Sequence, residues 1–459
     1  MSSATDNKRH PASYRDPSGF VFLHEKTLYR QVNAVYKEDY LYLMNSGCYQ
    51  HLSEQGLLIP HKEINENFTH TKEWFRTLQP VYIPFISYPY EWCFSMLKDA
   101  ALATLQIAKE VMQYGMLLKD ASAYNVQLWE GRMVLIDTLS FERYDATKPW
   151  IAYRQFCEHF LAPLALMHYL KQPVQTFLLA CPEGIPLTLT SKLLPLKANL
   201  NFGMLLHVQL HTLYATNKKN QGKDSGFNAQ KLKNILNNLE QTIQSFHMDA
   251  PTGVWSNYYD EALEREDYVT TKKQIIEDWV QRFTFRSAVD LGTNEGTFSQ
   301  LLAQKNISTI SADFDHYSIN RLYQKIKKED IKNIHPIITD LANPTPAIGV
   351  NNEERASLLQ RVHCDLVLAL AFIHHLAIGK NIPIVMIANQ LKRMGTFLII
   401  EFVPKEDEKI KVMLSSKKDI YDWYNQESFE VVFSEHYSIL ERQEIAKSGR
   451  HLYLMQVRP

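Results

Sequence analysis

Residues 288–299, AVDLGTNEGTFS, constrain the fold of this chain more than any other stretch. An apolar run carries Asp290 near its end, and Gly292 and Gly296 frame the turn that follows. Glycine allows backbone conformations and close approaches that a Cβ atom would block. The stretch therefore predicts a buried strand, a tight turn and the start of a helix, which together form a cofactor site in open α/β sheets. A tight strand-to-helix turn that binds no cofactor could also contain these two glycines. The neighbouring strands must therefore show whether this turn belongs to a cofactor site.

The C-terminal half alternates between strand-like and helix-like segments from residue 274 onward. Its strand-like segments, among them STISADFD and TFLIIEFV, are apolar on both faces. Strands of that kind are covered on both sides, so the pattern predicts a doubly wound, Rossmann-like α/β sheet with parallel strands. The last two apolar runs, at residues 429–437 and 451–458, predict an antiparallel edge.

Polar side chains stand at the carboxyl ends of these predicted strands. Asp313 follows the glycine turn by roughly twenty residues, where a carboxylate accepts hydrogen bonds from ribose hydroxyls. Asp340 ends the third strand, placed to accept a hydrogen bond from an adenine amino group, and His374 follows the fourth. Because ligands of open α/β sheets bind beyond the carboxyl ends of the strands, these positions together predict an adenosine site.

In the order of these motifs, residues 255–459 resemble the class I S-adenosylmethionine-dependent methyltransferases. The matching motifs are AVDLGTNEG, SADFD, PIITDL and DLVLALAFIHHLA. The resemblance implies S-adenosyl-L-methionine as the cofactor. The residues that it implies hold this cofactor are Asp290, Gly292, Asn294 and Gly296 in the turn, Asp313 at the ribose and Asp340 at the adenine. The family often has a third glycine where this chain has Asn294.

A nicotinamide dinucleotide is the rival cofactor, because a dinucleotide-binding domain shares the strand, the turn and the acid. Its fingerprint is G-x-G-x-x-G, whereas this turn has only Gly292 and Gly296 with three residues between them. Such a turn accommodates a pyrophosphate poorly. The antiparallel edge also favours the methyltransferase.

The resemblance implies methyl transfer, for which orientation of the reactants can supply up to about 7 to 11 kcal/mol of the barrier reduction. Neither N-P-P-Y nor D-P-P-Y follows the fourth strand, so oxygen, a small amine or carbon stays open as the acceptor atom. We expect His374 to be the catalytic base, because imidazole titrates near neutrality. The alternative is that it caps a helix or lines the pocket. We expect structural roles for His375 and Glu401.

Residues 255–273 resemble the cap segment that precedes the fold in some methyltransferases. Tyr259 and Lys272 are the candidate contacts within it.

The N-terminal half contains a second motif, LLKDASAYNVQLWEGRMVLIDTLSFE at residues 117–142. Asp120 and Asn125 lie five residues apart, and Asp137 follows two strand-like runs. This is the order of a phosphotransferase catalytic loop. Residues 19–215 thus resemble the protein kinases and aminoglycoside phosphotransferases. The resemblance implies Asp120 as the catalytic residue, with Asn125 and Asp137 holding magnesium.

Departures from that pattern favour a degenerate kinase-like domain. Leu118 stands where a histidine is usual, Thr138 follows Asp137 where phenylalanine is common, and no glycine-rich loop is evident. Arg30 and Glu38 occupy positions that could form the ion pair of an active kinase. The alternative is that Asp120 caps a turn, Asn125 satisfies loop backbone and Asp137 ends a hairpin strand.

Composition limits the partners and the compartment. With 49 Lys plus Arg against 50 Asp plus Glu, the overall charge argues against nucleic acid and against a membrane as partners. The five cysteines are scattered without a C-x-x-C pair, which predicts reduced thiols and no metal site in a cytoplasmic protein. Oligomeric state is not readable from the sequence.

We expect a disordered N-terminus at residues 1–17, a kinase-like α+β domain at 18–250 that ends in helices, and a methyltransferase domain at 251–459. The leading hypothesis for this two-domain chain is a transferase: a cytoplasmic methyltransferase for an unidentified acceptor, with the N-terminal domain in substrate recognition. The alternatives are ATP- and magnesium-dependent phosphate transfer by the N-terminal domain, and a protein that binds the cofactor without catalysis.

Overall fold

The computed structural model of the chain describes residues 8–210, 228–249, 266–415, 417–446 and 448–458. It divides into two compact units. The first comprises Met1–Asp249 together with Ala347–Arg355, and the second comprises Ala250–Pro346 and Ala356–Pro459. A short segment from the second half of the sequence therefore belongs to the first unit. No helix within the described ranges combines the length and apolar character needed to traverse a bilayer.

The first unit begins with an antiparallel sheet in the order β1-β2-β3-β5-β4, followed by two separate antiparallel strand pairs, β6 with β9 and β7 with β8. Its strands are β1 (Lys8–Arg9), β2 (Gly19–His24), β3 (Thr27–Asn33), β4 (His61–Ile64), β5 (Trp74–Pro80), β6 (Met116–Leu118), β7 (Val126–Trp129), β8 (Arg132–Leu135) and β9 (Phe141–Arg143).

Helices make up most of the remainder of this unit. They are α1 (Lys37–Asn45), α2 (Cys48–Glu54), α3 (Phe94–Gln113), α4 (Tyr153–Phe156), α5 (Ala162–Leu170), α6 (Phe177–Ala180), α7 (Leu187–Leu193), α8 (Phe202–Met204) and α9 (Ala229–Ser245). Helix α3 forms because apolar residues recur along one face, and it buries Leu97, Ala101 and Leu105 on that face.

The segment Ala347–Arg355 is a tight hairpin that completes the first unit. The Glu354 carboxylate is buried and accepts hydrogen bonds from the Tyr14 hydroxyl at 2.9 Å and from Arg15 at 3.1 Å. The Arg355 guanidinium lies 4.4 Å from the centroid of the Tyr124 ring, a cation–π contact.

The second unit is built on a seven-stranded sheet in the order β12-β11-β10-β13-β14-β16-β15. Its strands are β10 (Ser287–Leu291), β11 (Ser308–Asp313), β12 (Ile334–Ile338), β13 (Cys364–Ala369), β14 (Gly395–Phe402), β15 (Tyr437–Glu444) and β16 (His451–Val457). The first five are parallel, and β16 runs opposite to both of its neighbours. The unit is thus a doubly wound α/β sheet with an antiparallel edge, and its strand order reverses between β10 and β13.

The helices of the second unit connect these strands. They are α10 (Glu266–Gln281), α11 (Thr297–Gln304), α12 (His316–Glu329), α13 (Leu358–Arg361), α14 (Ile384–Lys392), α15 (Glu408–Ser415) and α16 (Gln426–Ser434). Ile276 and Trp279 of α10 pack with Leu302 of α11 against the apolar strand residues Leu366 and Ile399. This burial anchors the helix before β10 and the helix that follows the glycine turn.

Two of the sequence predictions are wrong in detail. Residues 429–437 were expected to form a strand, but Phe429 and Phe433 lie in α16 with both side chains buried, and the strand begins only at Tyr437. Residues 8–17, expected to be disordered, include β1, which pairs with β2. The cap residue Tyr259 lies outside the described residues.

The buried His316 side chain makes stability depend on pH. Burial lowers its pKa to about 4, so folding favours the neutral ring. In the unfolded chain His316 binds a proton below pH 6.5, whereas in the folded state it binds one only below about pH 4. The contribution of His316 to the free energy of unfolding is therefore complete above pH 6.5. It is lost as the pH falls from 6.5 to 4, by up to about 1.4 kcal/mol per pH unit.

We predict that His316→Asn reduces the slope of unfolding free energy against pH between pH 6.5 and 4, measured by chemical denaturation. His363→Asn, at an exposed position, is the control and should leave the slope unchanged. Equal slopes in wild type and His316→Asn would contradict a neutral, buried His316.

Candidate functional site

The turn between β10 and α11 has an unusual backbone. Gly292, Asn294 and Gly296 all have positive φ angles, of 71°, 51° and 78°. The left-handed region is open to glycine and tolerated by asparagine, which explains why these residue types stand here. The turn is pinned to the next strand, because the Gly292 N–H donates to the Ala312 carbonyl at 2.8 Å.

Gly292 and Gly296 allow neighbouring side chains to pack closely against the turn. A Cβ atom on Gly292 would lie 2.8 Å from the Phe372 ring, and one on Gly296 would lie 2.5 Å from Leu322 of α12. Both distances are shorter than atoms tolerate. The space beside each glycine is thus filled by another side chain of the same unit, and each glycine lets a neighbouring element approach the turn.

Asp290 organises the turn from behind. Its carboxylate is buried and accepts hydrogen bonds from the Thr293 hydroxyl at 2.8 Å and the Ser299 hydroxyl at 2.7 Å. Ser311 of β11 donates to the Ser299 oxygen at 2.7 Å, which extends the network. Burial raises the pKa of Asp290, opposed by these hydrogen bonds. We expect Asp290 to affect ligand binding indirectly, by fixing the conformation of the turn.

Asp313 braces the front of the same turn. One carboxylate oxygen accepts the Asn294 backbone N–H at 2.8 Å, and the other accepts the Asp315 N–H at 2.9 Å. Burial raises its pKa, opposed by these two N–H donors. Each oxygen keeps acceptor capacity beyond its one N–H partner. The carboxylate can therefore shape the turn and still bind hydroxyl groups.

Asp340 follows β12 at the same edge of the sheet. It accepts the Ala342 N–H at 2.8 Å, and Lys380 lies 3.6 Å from its second oxygen. Its side chain is 41% exposed, so it remains accessible to a ligand.

Buried polar atoms without hydrogen-bond partners follow three of the parallel strands. Within the described ranges these atoms are Asn294 Oδ1 after β10, Thr339 Oγ1 after β12, and both ring nitrogens of His374 after β13. A buried polar atom left without a partner costs about 1 to 3 kcal/mol. A polar ligand at the carboxyl ends of the strands would satisfy such atoms.

His374 lies deeper than the sequence indicated. Its side chain is 1% exposed and stacks near His375, with ring centroids 4.3 Å apart. Burial lowers its pKa to about 3, helped by the neighbouring His375. The imidazole is therefore neutral at physiological pH and weakly basic.

A buried ionic network, which our sequence analysis did not predict, lies beside His374. Glu401 of β14, fully buried, accepts hydrogen bonds from Lys272, Tyr268 and Arg450. Arg450 also donates to Asp407 at 2.8 Å. Burial alone would raise the pKa of Glu401, but the two cations hold it at about 2. Two cations and two carboxylates thus balance one another in the interior.

The network escaped prediction because its members are far apart in sequence. Lys272 and Glu401 are 129 residues apart, and Glu401 and Arg450 are 49 apart. The usable signal was a charged residue in the apolar run TFLIIEFV, since a charge there needs a partner.

In the first unit, the structure brings Asp120, Asn125 and Asp137 together. Burial raises the pKa of Asp120 most, the charge of Asp137 raises it further, and the Asn125 side chain lowers it. Both Asn125 and Asp137 contact the Ser140 hydroxyl, at 3.4 and 2.8 Å. The predicted catalytic-loop residues therefore form one cluster.

Arg30 supplies a positive charge to the cluster of Asp120, Asn125 and Asp137. Its guanidinium pairs with the Asp137 carboxylate, which also accepts the Leu139 N–H at 3.0 Å. The candidate pair of Arg30 with Glu38 is wrong: Glu38 is exposed and pairs with Arg143 at 2.8 Å. The reason is geometric, since the β3 side chain reaches Asp137 while Glu38 faces solvent.

The second unit is therefore a doubly wound α/β domain with a braced glycine turn at the edge where such sheets bind ligands. No protein-family model matches the chain. Nodulation protein NoeA of Rhizobium meliloti (strain 1021) is 30% identical to it, over 98% of this chain and 96% of that protein. The chain belongs to the NoeA family.

Solved structures resemble parts of the chain. The bifunctional kinase-methyltransferase WbdD is 17% identical over 42% of this chain and 39% of its own, with a TM-score of 0.28. The magnesium protoporphyrin IX methyltransferase ChlM of Synechocystis PCC 6803, crystallised with SAH, is 14% identical over 46% of this chain and 90% of its own, with a TM-score of 0.31. The matched part spans less than half of WbdD.

We predict that Glu401→Gln lowers the free energy of unfolding by about 3 to 5 kcal/mol, because it leaves the buried Lys272 ammonium without its carboxylate partner. The control is Glu441→Gln, which removes an exposed pair with Arg282 and should cost about 0 to 1 kcal/mol. Chemical denaturation measures both. Similar small losses in the two variants would mean that water reaches the network.

Proposed function

We propose that the second unit is an S-adenosylmethionine-dependent methyltransferase acting on an oxygen, nitrogen or carbon acceptor, and that the first unit recognises the substrate. The observation that carries this proposal is the set of buried polar atoms without partners, on Asn294, Thr339 and His374, around the turn that Asp313 braces. These atoms follow the carboxyl ends of three parallel strands, and ligands of doubly wound folds bind beyond the carboxyl ends of the strands.

The residues present fit the cofactor. Asp313 keeps acceptor capacity for the ribose hydroxyls, the exposed carboxylate of Asp340 suits the adenine amino group, and the turn from Gly292 to Asn294 would hold the methionine part. Bound there, the cofactor would supply a methyl group already activated by the positive sulfur. The chain itself must then position the acceptor and exclude water.

His374 is the residue of this chain that we assign to the acceptor. Its neutral ring offers one donor and one acceptor nitrogen, neither with a partner among the described residues. It can orient the acceptor and take a strongly acidic proton after transfer, although its lowered pKa makes it a weak base. The balanced network at Glu401 holds the elements around it without adding net charge.

We predict that Asp313→Ala weakens S-adenosylmethionine binding by roughly 10- to 150-fold, because hydrogen bonds to a charged group contribute about 1.5 to 3 kcal/mol. Titration calorimetry measures the dissociation constant for the cofactor. Glu329→Ala, an exposed acid at the far end of α12, is the matched control. Wild-type protein that binds neither S-adenosylmethionine nor its demethylated product would refute the proposal, and binding without turnover of any acceptor would favour the non-catalytic alternative.

Phosphate transfer by the first unit is the second candidate, favoured by the cluster of Asp120, Asn125 and Asp137. Magnesium would have to compete with the Arg30 guanidinium for the Asp137 carboxylate. A fixed internal cation at that carboxylate supports a recognition role instead.

We therefore predict no thermal stabilisation of the wild-type chain by Mg-ATP in differential scanning calorimetry. A ligand at 100 times its dissociation constant would add about 2.7 kcal/mol. Arg30→Met, which frees Asp137, tests whether the guanidinium is what prevents binding. A shift in the wild type that disappears in Asp137→Ala would promote the phosphotransferase.

A further inference from the structure

The helical end of the first unit exposes a concentration of apolar side chains. Leu196, Leu200 and Phe202 are 86%, 89% and 68% exposed. Leu189, Leu193 and Leu205 nearby are each exposed by more than a third. We call these six residues the apolar tip. Single exposed leucines are ordinary on protein surfaces, but a contiguous group marks an interaction site.

The scaffold beneath the apolar tip is well packed. Ser191 of α7 donates a hydrogen bond to Gln209 at 2.6 Å, which ties α7 to the turn that follows α8. The Asn201 side chain caps α8 by accepting the Met204 N–H at 3.2 Å. Ala198 and Met204 are fully buried. The protruding side chains therefore stand on a fixed base and not on a fraying end.

The charge of this segment is one-sided. Residues 185–210 contain no aspartate or glutamate, whereas Lys192 and Lys197 are both exposed within it. The whole chain, by contrast, has a formal net charge of −1. The expectation of no membrane partner rested on this overall charge balance, which says nothing about the charge of one part of the surface.

We propose that the apolar tip docks the protein on an anionic lipid surface. Leucine and phenylalanine side chains that protrude this far can enter the boundary between headgroups and acyl chains, while lysines beside them meet anionic headgroups. The absence of acidic residues from the segment removes the repulsion that would oppose this approach. The nearly complete exposure of Leu196 and Leu200 suits insertion better than a flat protein interface.

The test is co-sedimentation of the full chain with vesicles of phosphatidylcholine, with and without phosphatidylglycerol. We expect binding to the anionic vesicles that weakens as salt is raised. The triple variant Leu196→Ser, Leu200→Ser, Phe202→Ser should bind at least about tenfold more weakly. Lys192→Gln with Lys197→Gln should remove most of the preference for anionic vesicles.

The control variant is Val35→Ser with Tyr82→Ser, which changes two residues that are 76% and 67% exposed elsewhere in the first unit. It should bind vesicles like the wild type. Circular dichroism checks that every variant is folded. Failure of the wild type to bind anionic vesicles would overturn the proposal. So would a dimer, seen by light scattering, that the triple variant abolishes while vesicle binding is unchanged.

Discussion

The hydrogen bond from the Asn294 N–H to the Asp313 carboxylate is the interaction on which the site of the second unit depends. It joins the turn after β10 to the end of β11 and holds a non-glycine residue in the left-handed region. Asparagine accepts that conformation at less cost than most residues. The asparagine that replaces a third glycine therefore tolerates the left-handed conformation, and its N–H is bound by a carboxylate at the end of the next strand. With the turn fixed, α11 starts at Thr297.

The buried ionic network is the second constraint on this edge. Taking four charged groups out of water is costly, and well-packed apolar residues would often stabilise a fold as much. The network nevertheless joins three separated parts of the unit: α10 through Lys272, β14 through Glu401 and the hairpin before β16 through Arg450. Charge pairs of this kind accept few alternative partners, so they fix which elements meet beside His374.

Local sequence patterns predicted much of the fold. The glycine turn and the apolar parallel strands were readable because each rests on neighbouring residues. The exception is α16, where the β-branched and aromatic run FEVVF suggested a strand. The buried pair Phe429 and Phe433, four residues apart, and the cap from Asn425 to the Ser428 N–H were the signals for a helix.

Contacts between distant residues could not be predicted in this way. Arg30 and Asp137 are 107 residues apart, and nothing local to either shows that they pair. The order of Asp120, Asn125 and Asp137 predicted their cluster only through resemblance to a known arrangement. The depth of His374 was also hidden, because burial depends on what packs over a residue and not on its position after a strand.

The hairpin Ala347–Arg355 has a consequence for how the chain is made. Because Glu354 supplies the buried acceptor for Tyr14 and Arg15, the first unit lacks part of its interior until residue 355 has left the ribosome. Synthesis of the second unit is by then well advanced, through β10, β11 and β12. The first unit is therefore completed only after part of the second has been synthesised, and no single cut in the chain separates one complete unit from the other.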